Sequence, residues 1–181
     1  ALKKRKAERV LKNCRVVNVF SGEIEEGDVA LQDGYIAGVG RFDGIEEEDL
    51  GGKIVCPGFI DSHVHIESAM VTPPVFASVV VARGTTSVIA DPHEIANVLG
   101  AAGIEYMIRS SRDLPLTVHI MIPSCVPATS FETSGAKISS RDIKDLLGRE
   151  GILGLGEMMN YPGVLAGDPE VLAKISAAAG R

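Results

Sequence analysis

Asp61-Ser62-His63-Val64-His65 is the segment of this 181-residue chain whose residue types and spacing best suit chemistry. Read as the end of an apolar strand that begins at Gly58, it alternates its side chains, so Asp61, His63 and His65 share one face. Two imidazoles in that arrangement project toward one point. They can chelate one metal ion through neutral ring nitrogens, at about 2.0–2.1 Å in the zinc case. The competing reading satisfies one or both rings with ordinary hydrogen bonds. Glu157 ends another apolar run, after the flexible Gly154-Leu155-Gly156. Its two oxygens suit it to bridge two cations; alternatively it pairs with a basic residue or caps the next segment. His119, in the middle of an apolar strand, reads as a core histidine, and Cys125 has no evident base partner that would make it a nucleophile.

The elements that must position these residues follow from the hydrophobic pattern. Strand-like runs at 58–65, 86–91, 116–122 and 152–157 recur roughly every 30 residues, the length of a βαβ unit. Helix signals fill the gaps. Thr72-Pro73 starts one helix that Gly84 ends, others run over about 94–112 and 141–147, and Asp168-Pro169 starts a last one. This is an α/β pattern. Gly38-x-Gly40 is followed by Asp43 rather than the third glycine of a dinucleotide fingerprint, and no Walker-type loop is present. Polar residues instead gather at the expected carboxyl ends of strands: His63 and His65, Asp91 and His93, Ser124, and Glu157. A (β/α)8 barrel places its site there. Ahead of this region, short strands at 14–20, 28–32 and 35–39 with an Asp33-Gly34 turn form a small β-unit, and the acidic run 46–49 reads as a solvated loop. The change of periodicity at Gly51-Gly52 divides the chain into 1–52 and 53–181.

Composition narrows the function classes. With 18 Lys+Arg, 24 Asp+Glu, a net charge of −6 and 4% aromatics, the chain lacks the basic, aromatic face of a nucleic-acid binder. The longest apolar run, 75–82, is broken by Ser78 and is far shorter than the ~20 residues of a membrane span. Residues 1–12 are basic but have no apolar stretch of a secretory signal. Three well-separated cysteines without C-x-x-C argue against a disulfide framework, so a cytoplasmic setting is expected.

Val55-Cys-Pro-Gly-Phe-Ile-Asp-Ser-His-Val-His65 resembles the first-strand motif of the metal-dependent amidohydrolase superfamily. The blocks Glu67-Ser-Ala-Met-Val-Thr-Pro-Pro74, Ala90-Asp-Pro-His-Glu-Ile-Ala-Asn-Val98, Pro123-Ser-Cys-Val-Pro-Ala-Thr129, Phe131-Glu-Thr-Ser-Gly135 and Leu155-Gly-Glu-Met-Met-Asn160, in this order, are similar to the microbial adenine deaminase family within it. That resemblance implies the N-terminal half of a (β/α)8 TIM-like barrel preceded by a small β-sandwich-like unit. It implies a binuclear centre of manganese(II) or iron(II), with zinc(II) as the other option. His63, His65 and Glu157 match its metal ligands, Glu157 doubling as the catalytic carboxylate, and the reaction is hydrolysis of adenine to hypoxanthine and ammonia by metal-activated water. If the strand continues, Glu67 lies on the same face as His63 and His65 and accepts a hydrogen bond from a purine N–H; otherwise it is a surface or loop carboxylate. His93 lines the pocket, supports the ligands or caps a helix.

From Lys53 only 129 residues remain, against about 250 for a complete barrel. The family's further ligands, two histidines and an aspartate from later strands, have no counterpart by Arg181. The isolated chain is therefore expected to be inactive, and its open strand edges favour homo-oligomers or other association. Two other readings stand beside this one: a related cyclic amidohydrolase, and a non-catalytic assembly or metal-binding protein.

Overall fold

The computed structural model describes residues 5–179, and the chain divides after Pro57 into two compact units. The first four residues of the basic segment lie outside the described residues.

The first unit is built on one five-stranded sheet: β1 (Ala7–Asn18), β2 (Glu23–Gln32), β3 (Tyr35–Gly40), β4 (Gly44–Asp49) and β5 (Ile54–Val55). β1 is the hub. It pairs antiparallel with β2, and parallel with β4 along its first half and with β5 along its second. Asp33 and Gly34 both adopt positive φ, 53° and 77°, the conformation that a two-residue hairpin turn requires. The acidic run expected to be a loop is instead strand β4. Its side chains face water, but its backbone groups find partners on β1, and Arg9 meets Glu48 at 2.6 Å. Backbone pairing overrides the low strand preference of glutamate here. Because β5 pairs with β1, residues 53–57 belong with this unit, and the division falls at Pro57 rather than Gly52.

β1 is interrupted between Leu11 and Cys14, where Asn13 has φ 53°. The irregularity turns the Asn13 N–H toward Asp28, whose buried carboxylate also accepts from Lys12 Nζ at 2.7 Å and from the Phe42 N–H at 3.2 Å. Burial by itself raises the Asp28 pKa. These hydrogen bonds and the Lys12 charge outweigh it and hold the carboxyl below its usual value. A folded-state pKa below the unfolded one contributes stability above the ordinary carboxylate range, and that stability is lost as the pH falls through the folded value. Asp28→Asn is therefore expected to cost about 2 kcal/mol at pH 7 and progressively less below about pH 4. Thermal melts of both proteins from pH 7 to 2 check this; parallel curves would contradict it.

The second unit carries a four-stranded parallel sheet in chain order: β6 (Phe59–Val64), β7 (Thr85–Ala90), β8 (Thr117–Ile122) and β9 (Ile152–Leu155). The connections are helical: α1 (Pro73–Val80), then α2 (His93–Leu99) and α3 (Ala101–Ser110), then α4 (Ser140–Leu146), with α5 (Tyr161–Ala166) and α6 (Pro169–Ala178) after β9. Val88, Ala90, Ile120 and Ile122 are buried on one face of the sheet, in clusters with Ala77, Ile104, Met107 and Ile143. His119 alternates onto the other face and is half-buried, so it is not a core histidine. The single helix expected over 94–112 is broken at Gly100, whose φ 61°, ψ −139° suits glycine alone. α4 opens with a reciprocal cap between Ser139 and Asp142, and α6 with the Asp168 carboxylate accepting from the Glu170 and Val171 N–H groups. α5 goes beyond the helices expected from the sequence; Asn160 caps it by accepting the Gly163 N–H, Pro162 lies in its first turn and Gly167 ends it. No helix among the described residues is long and apolar enough to cross a membrane.

Candidate functional site

The four strands of the second unit run parallel, so their carboxyl ends lie on one side, and the polar residues at those ends are brought together there. His63 sits at the end of β6, His65 just beyond it, Asp91 after β7, Ser124 after β8 and Glu157 two residues beyond β9. His63 Nε2 lies 3.6 Å and His65 Nε2 3.4 Å from the same Glu157 oxygen, Oε1. The two rings meet edge to face, with centroids 4.9 Å apart. All three side chains are partly open to solvent.

Asp61 departs from the expected shared face. The pairing of β6 with β7 slips between Asp61 and Val64, which breaks the alternation, and Asp61 Oδ1 accepts the His63 backbone N–H at 3.2 Å. Glu67 departs as well. β6 ends at Val64 and the chain turns into a short 3-10 helix over Ile66–Ala69, so strand alternation never reaches Glu67. Its Oε1 accepts the Ile95 N–H at 3.3 Å, while Oε2 is buried without a hydrogen-bond partner. It borders a groove of about 270 Å³ lined by Met70, Pro73, Ile95, Tyr106 and Met107. Burial is the main cause that pushes the Glu67 pKa upward.

His93 is buried at the start of α2 with Nδ1 2.8 Å from Asp91 Oδ1, and its ring centroid is 6.0 Å from that of His65. Burial alone lowers its pKa. The hydrogen bond and charge of Asp91, the charge of Glu157 and the Cys125 carbonyl outweigh this and raise it. His65 Nδ1 lies 2.6 Å from the Asp91 carbonyl oxygen. A carbonyl oxygen carries no proton, so Nδ1 is the donor, and Nε2 is the ring atom that faces Glu157.

Three supporting residues are not marked by the sequence: Ser124 and Glu94 stand out only by their place at a strand or helix end, and Lys174, inside α6, not at all. Ser124, fully buried, donates its hydroxyl to the Glu157 carbonyl. Glu94 receives the Ser68 hydroxyl and approaches His65 Nδ1 at 3.7 Å. Lys174, on α6 and buried, donates to the Ser124 carbonyl at 3.1 Å.

The donor set suits a cation. Two donors each about 2.0–2.1 Å from one tetrahedral ion stand about 3.3–3.4 Å apart, close to the nitrogen-to-oxygen separations here of 3.4 and 3.6 Å. Two imidazole nitrogens and one carboxylate oxygen, all within 4.8 Å of one another, form that set.

The chain is 57% identical to an adenine deaminase of Clostridium acetobutylicum over 98% of its length, but it spans 31% of that protein. It is 51% identical to adenine deaminase 2 of Carboxydothermus hydrogenoformans over its whole length, spanning 32% of that relative. It is thus about a third as long as the curated relatives it matches. Among solved structures it is similar to N-acyl-D-glutamate deacylase from Bordetella bronchiseptica, complexed with zinc and a phosphonate inhibitor. That match has TM-score 0.67 and 17% identity, and covers 97% of this chain and 43% of the other. An atrazine chlorohydrolase from Arthrobacter aurescens complexed with zinc matches with TM-score 0.57 and 16% identity, covering 78% of this chain and 43% of the other. The amidohydrolase family model matches residues 54–181, well over half of the sequence, and the chain belongs to that family.

Proposed function

We propose that this chain is the N-terminal, metal-holding portion of an adenine deaminase, which hydrolyses adenine to hypoxanthine and ammonia. The observation that carries the proposal is the convergence of His63 Nε2, His65 Nε2 and Glu157 Oε1 at the carboxyl ends of β6 and β9, 92 residues apart between His65 and Glu157. The adenine deaminases that match it over nearly its full length supply the substrate. In this reading the second unit is the first half of a (β/α)8 barrel, and the first unit is part of a small β-sandwich.

His63, His65 and Glu157 hold a divalent cation in a centre completed as binuclear by the rest of a longer protein. Manganese(II) and iron(II) suit its nitrogen and oxygen donors, and zinc(II), present in the two solved relatives, suits them too. When bound, such an ion supplies the Lewis acidity that makes water nucleophilic near neutral pH. The chain's own contribution is positional. The Asp91 carbonyl fixes the His65 tautomer, and Ser124 anchors the backbone of Glu157. The carboxylate is available to hold or move a proton beside the attacked carbon. Glu67, turned toward Ile95, and His93, held by Asp91, fit supporting roles better than direct purine contact. The exposed Phe59 and Ile60 on edge strand β6 favour association through the open sheet edge. Three free cysteines suit a cytoplasmic setting.

The test is a chimera in which this chain replaces the matching third of the Clostridium acetobutylicum enzyme. Loaded with manganese(II), it is expected to release ammonia from adenine, and the 181-residue chain alone is not. A folded, metal-loaded chimera that leaves adenine intact would refute the substrate assignment. Hydrolysis of another cyclic amide or amidine by that chimera would move the reading to a related amidohydrolase.

A further inference from the structure

Asp91 is fully buried, yet it is an unneeded charge if the donor set is only His63, His65 and Glu157. All of its polar groups are engaged, and they reach the ends of three strands. Its N–H donates to the Val64 carbonyl at 2.9 Å, on β6, and its own carbonyl accepts from His65 Nδ1 at 2.6 Å. Its carboxylate accepts from His93 Nδ1 at 2.8 Å through Oδ1 and from the Glu157 N–H at 3.3 Å through Oδ2. One residue therefore touches two of the three candidate ligands, His65 through its ring and Glu157 through its backbone.

We infer that the Asp91 carboxylate is a positioning group that holds the Glu157 backbone toward a cation shared with His65, whose ring the backbone carbonyl of the same residue orients, an inference that rests on the metal-holding reading above. A second observation points the same way. The space that the carboxylate occupies exists because residue 156 is glycine: a Cβ there would lie 2.1 Å from Asp91 Oδ2 and 2.8 Å from its Cγ. The approach of Asp91 to β9 is thus built into both strands. His93 completes the arrangement by holding Oδ1 from the other side, and it is itself held by Asn97 Nδ2, which donates to its carbonyl at 2.9 Å. His65, Asp91 and His93 also bring donor atoms within 4.8 Å of one another, but both Nδ1 atoms already face Asp91 oxygens. The grouping works as a hydrogen-bonded brace for the neighbouring donor set.

The test compares the full 181-residue chain with Asp91→Asn and Asp91→Ala, using zinc(II) affinity by chelator competition. NMR of the His65 and His93 rings and of the Glu157 amide is recorded on metal-free samples. Groups that orient ligands usually contribute ten- to hundredfold to metal affinity. Asp91→Asn keeps the shape and one accepting oxygen, and is expected to bind zinc about tenfold more weakly, and Asp91→Ala about a hundredfold. The Glu157 amide proton shifts upfield in both, and the His93 ring loses its preference for a proton on Nδ1. A residue that merely stabilised the fold would lower the melting temperature and leave these signals in place. Folded Asp91→Asn with zinc affinity within twofold of the parent and an unmoved Glu157 amide overturns the inference, whether or not Asp91→Ala folds. If the parent chain takes up no zinc, the metal-holding reading fails. The Glu157 and His93 resonances then still decide the role of Asp91: shifted signals support it and unmoved ones overturn it.

Discussion

Glu157→Ala is expected to weaken zinc(II) binding to this chain about a hundredfold. Structural zinc sites with four ligands have apparent binding free energies of about 10–16 kcal/mol, roughly 3 kcal/mol per ligand, and 1.4 kcal/mol is a factor of ten. Glu157 is the one formally charged donor among the three, and its Oε1 is the atom that both imidazoles face. Removing it leaves two neutral nitrogens with nothing to offset the cation's charge. Glu157→Gln keeps the volume and one accepting oxygen but not the charge, and falls between the parent and the alanine variant. His63→Ala should weaken binding by a similar factor. Combining it with Glu157→Ala should abolish measurable binding, because it leaves only His65 of the three donors and a single imidazole scarcely chelates. Chelator competition with zinc(II), repeated with manganese(II), gives the numbers. The control is Glu150→Ala, which removes an exposed carboxylate in the turn before β9 and should change nothing. Unchanged affinity in Glu157→Ala together with a loss in His63→Ala would remove the carboxylate from the donor set.

Gly58→Ala should be the most damaging single-methyl change in the second unit outside the site. A Cβ at this position would lie 2.2 Å from Thr86 Oγ1, 2.3 Å from its Cγ2 and 2.8 Å from its Cβ. Threonine is β-branched and has little rotamer freedom with which to retreat. The clash therefore falls on the backbone. Phe59 pairs with Thr85 and its N–H donates to the Gly84 carbonyl at 2.9 Å, so any displacement opens the start of β6, the strand that ends in His63. Overpacking of this severity costs about 3 kcal/mol, which for a unit of this size lowers the melting temperature by roughly 10 °C. Thr86→Ala removes the two nearest atoms, so it should recover a good part of the loss in the double variant, with a coupling above about 1 kcal/mol. Thermal melts of the four proteins test this. Strictly additive effects would mean that the steric conflict is relieved elsewhere.

The strands of the second unit were legible because strands of parallel sheets are apolar on both faces and leave near-continuous apolar runs of recognisable length, and their roughly 30-residue spacing implied helical crossovers. The β1 to β3 hairpin arrangement was legible in part for a similar reason, since Asp33-Gly34 has few alternatives. β4 was not. Glu46 to Asp49 carries no inward-facing apolar side chain, and only the presence of β1 alongside makes it a strand. The break at Gly100 is not legible in the sequence because apolar periodicity continues across it into α3, while the turn between the two helices is a backbone event.

At the site, residue types and spacing alone were enough to pair His63 with His65 and to single out Glu157 as a carboxylate at the end of a parallel strand. Those choices depend on local periodicity and on the chemistry of imidazole and carboxylate groups, which the chain carries in any conformation. Only the tertiary structure decided which neighbours share that site. It moved Asp61 off the common face through a register slip, turned Glu67 toward Ile95, and buried Asp91 between His65, His93 and Glu157. Apart from the local Asp91–His93 pair, these hydrogen bonds join residues 26 to 66 positions apart through strand pairing and burial. They exist only once the sheet has brought the carboxyl ends of its strands together.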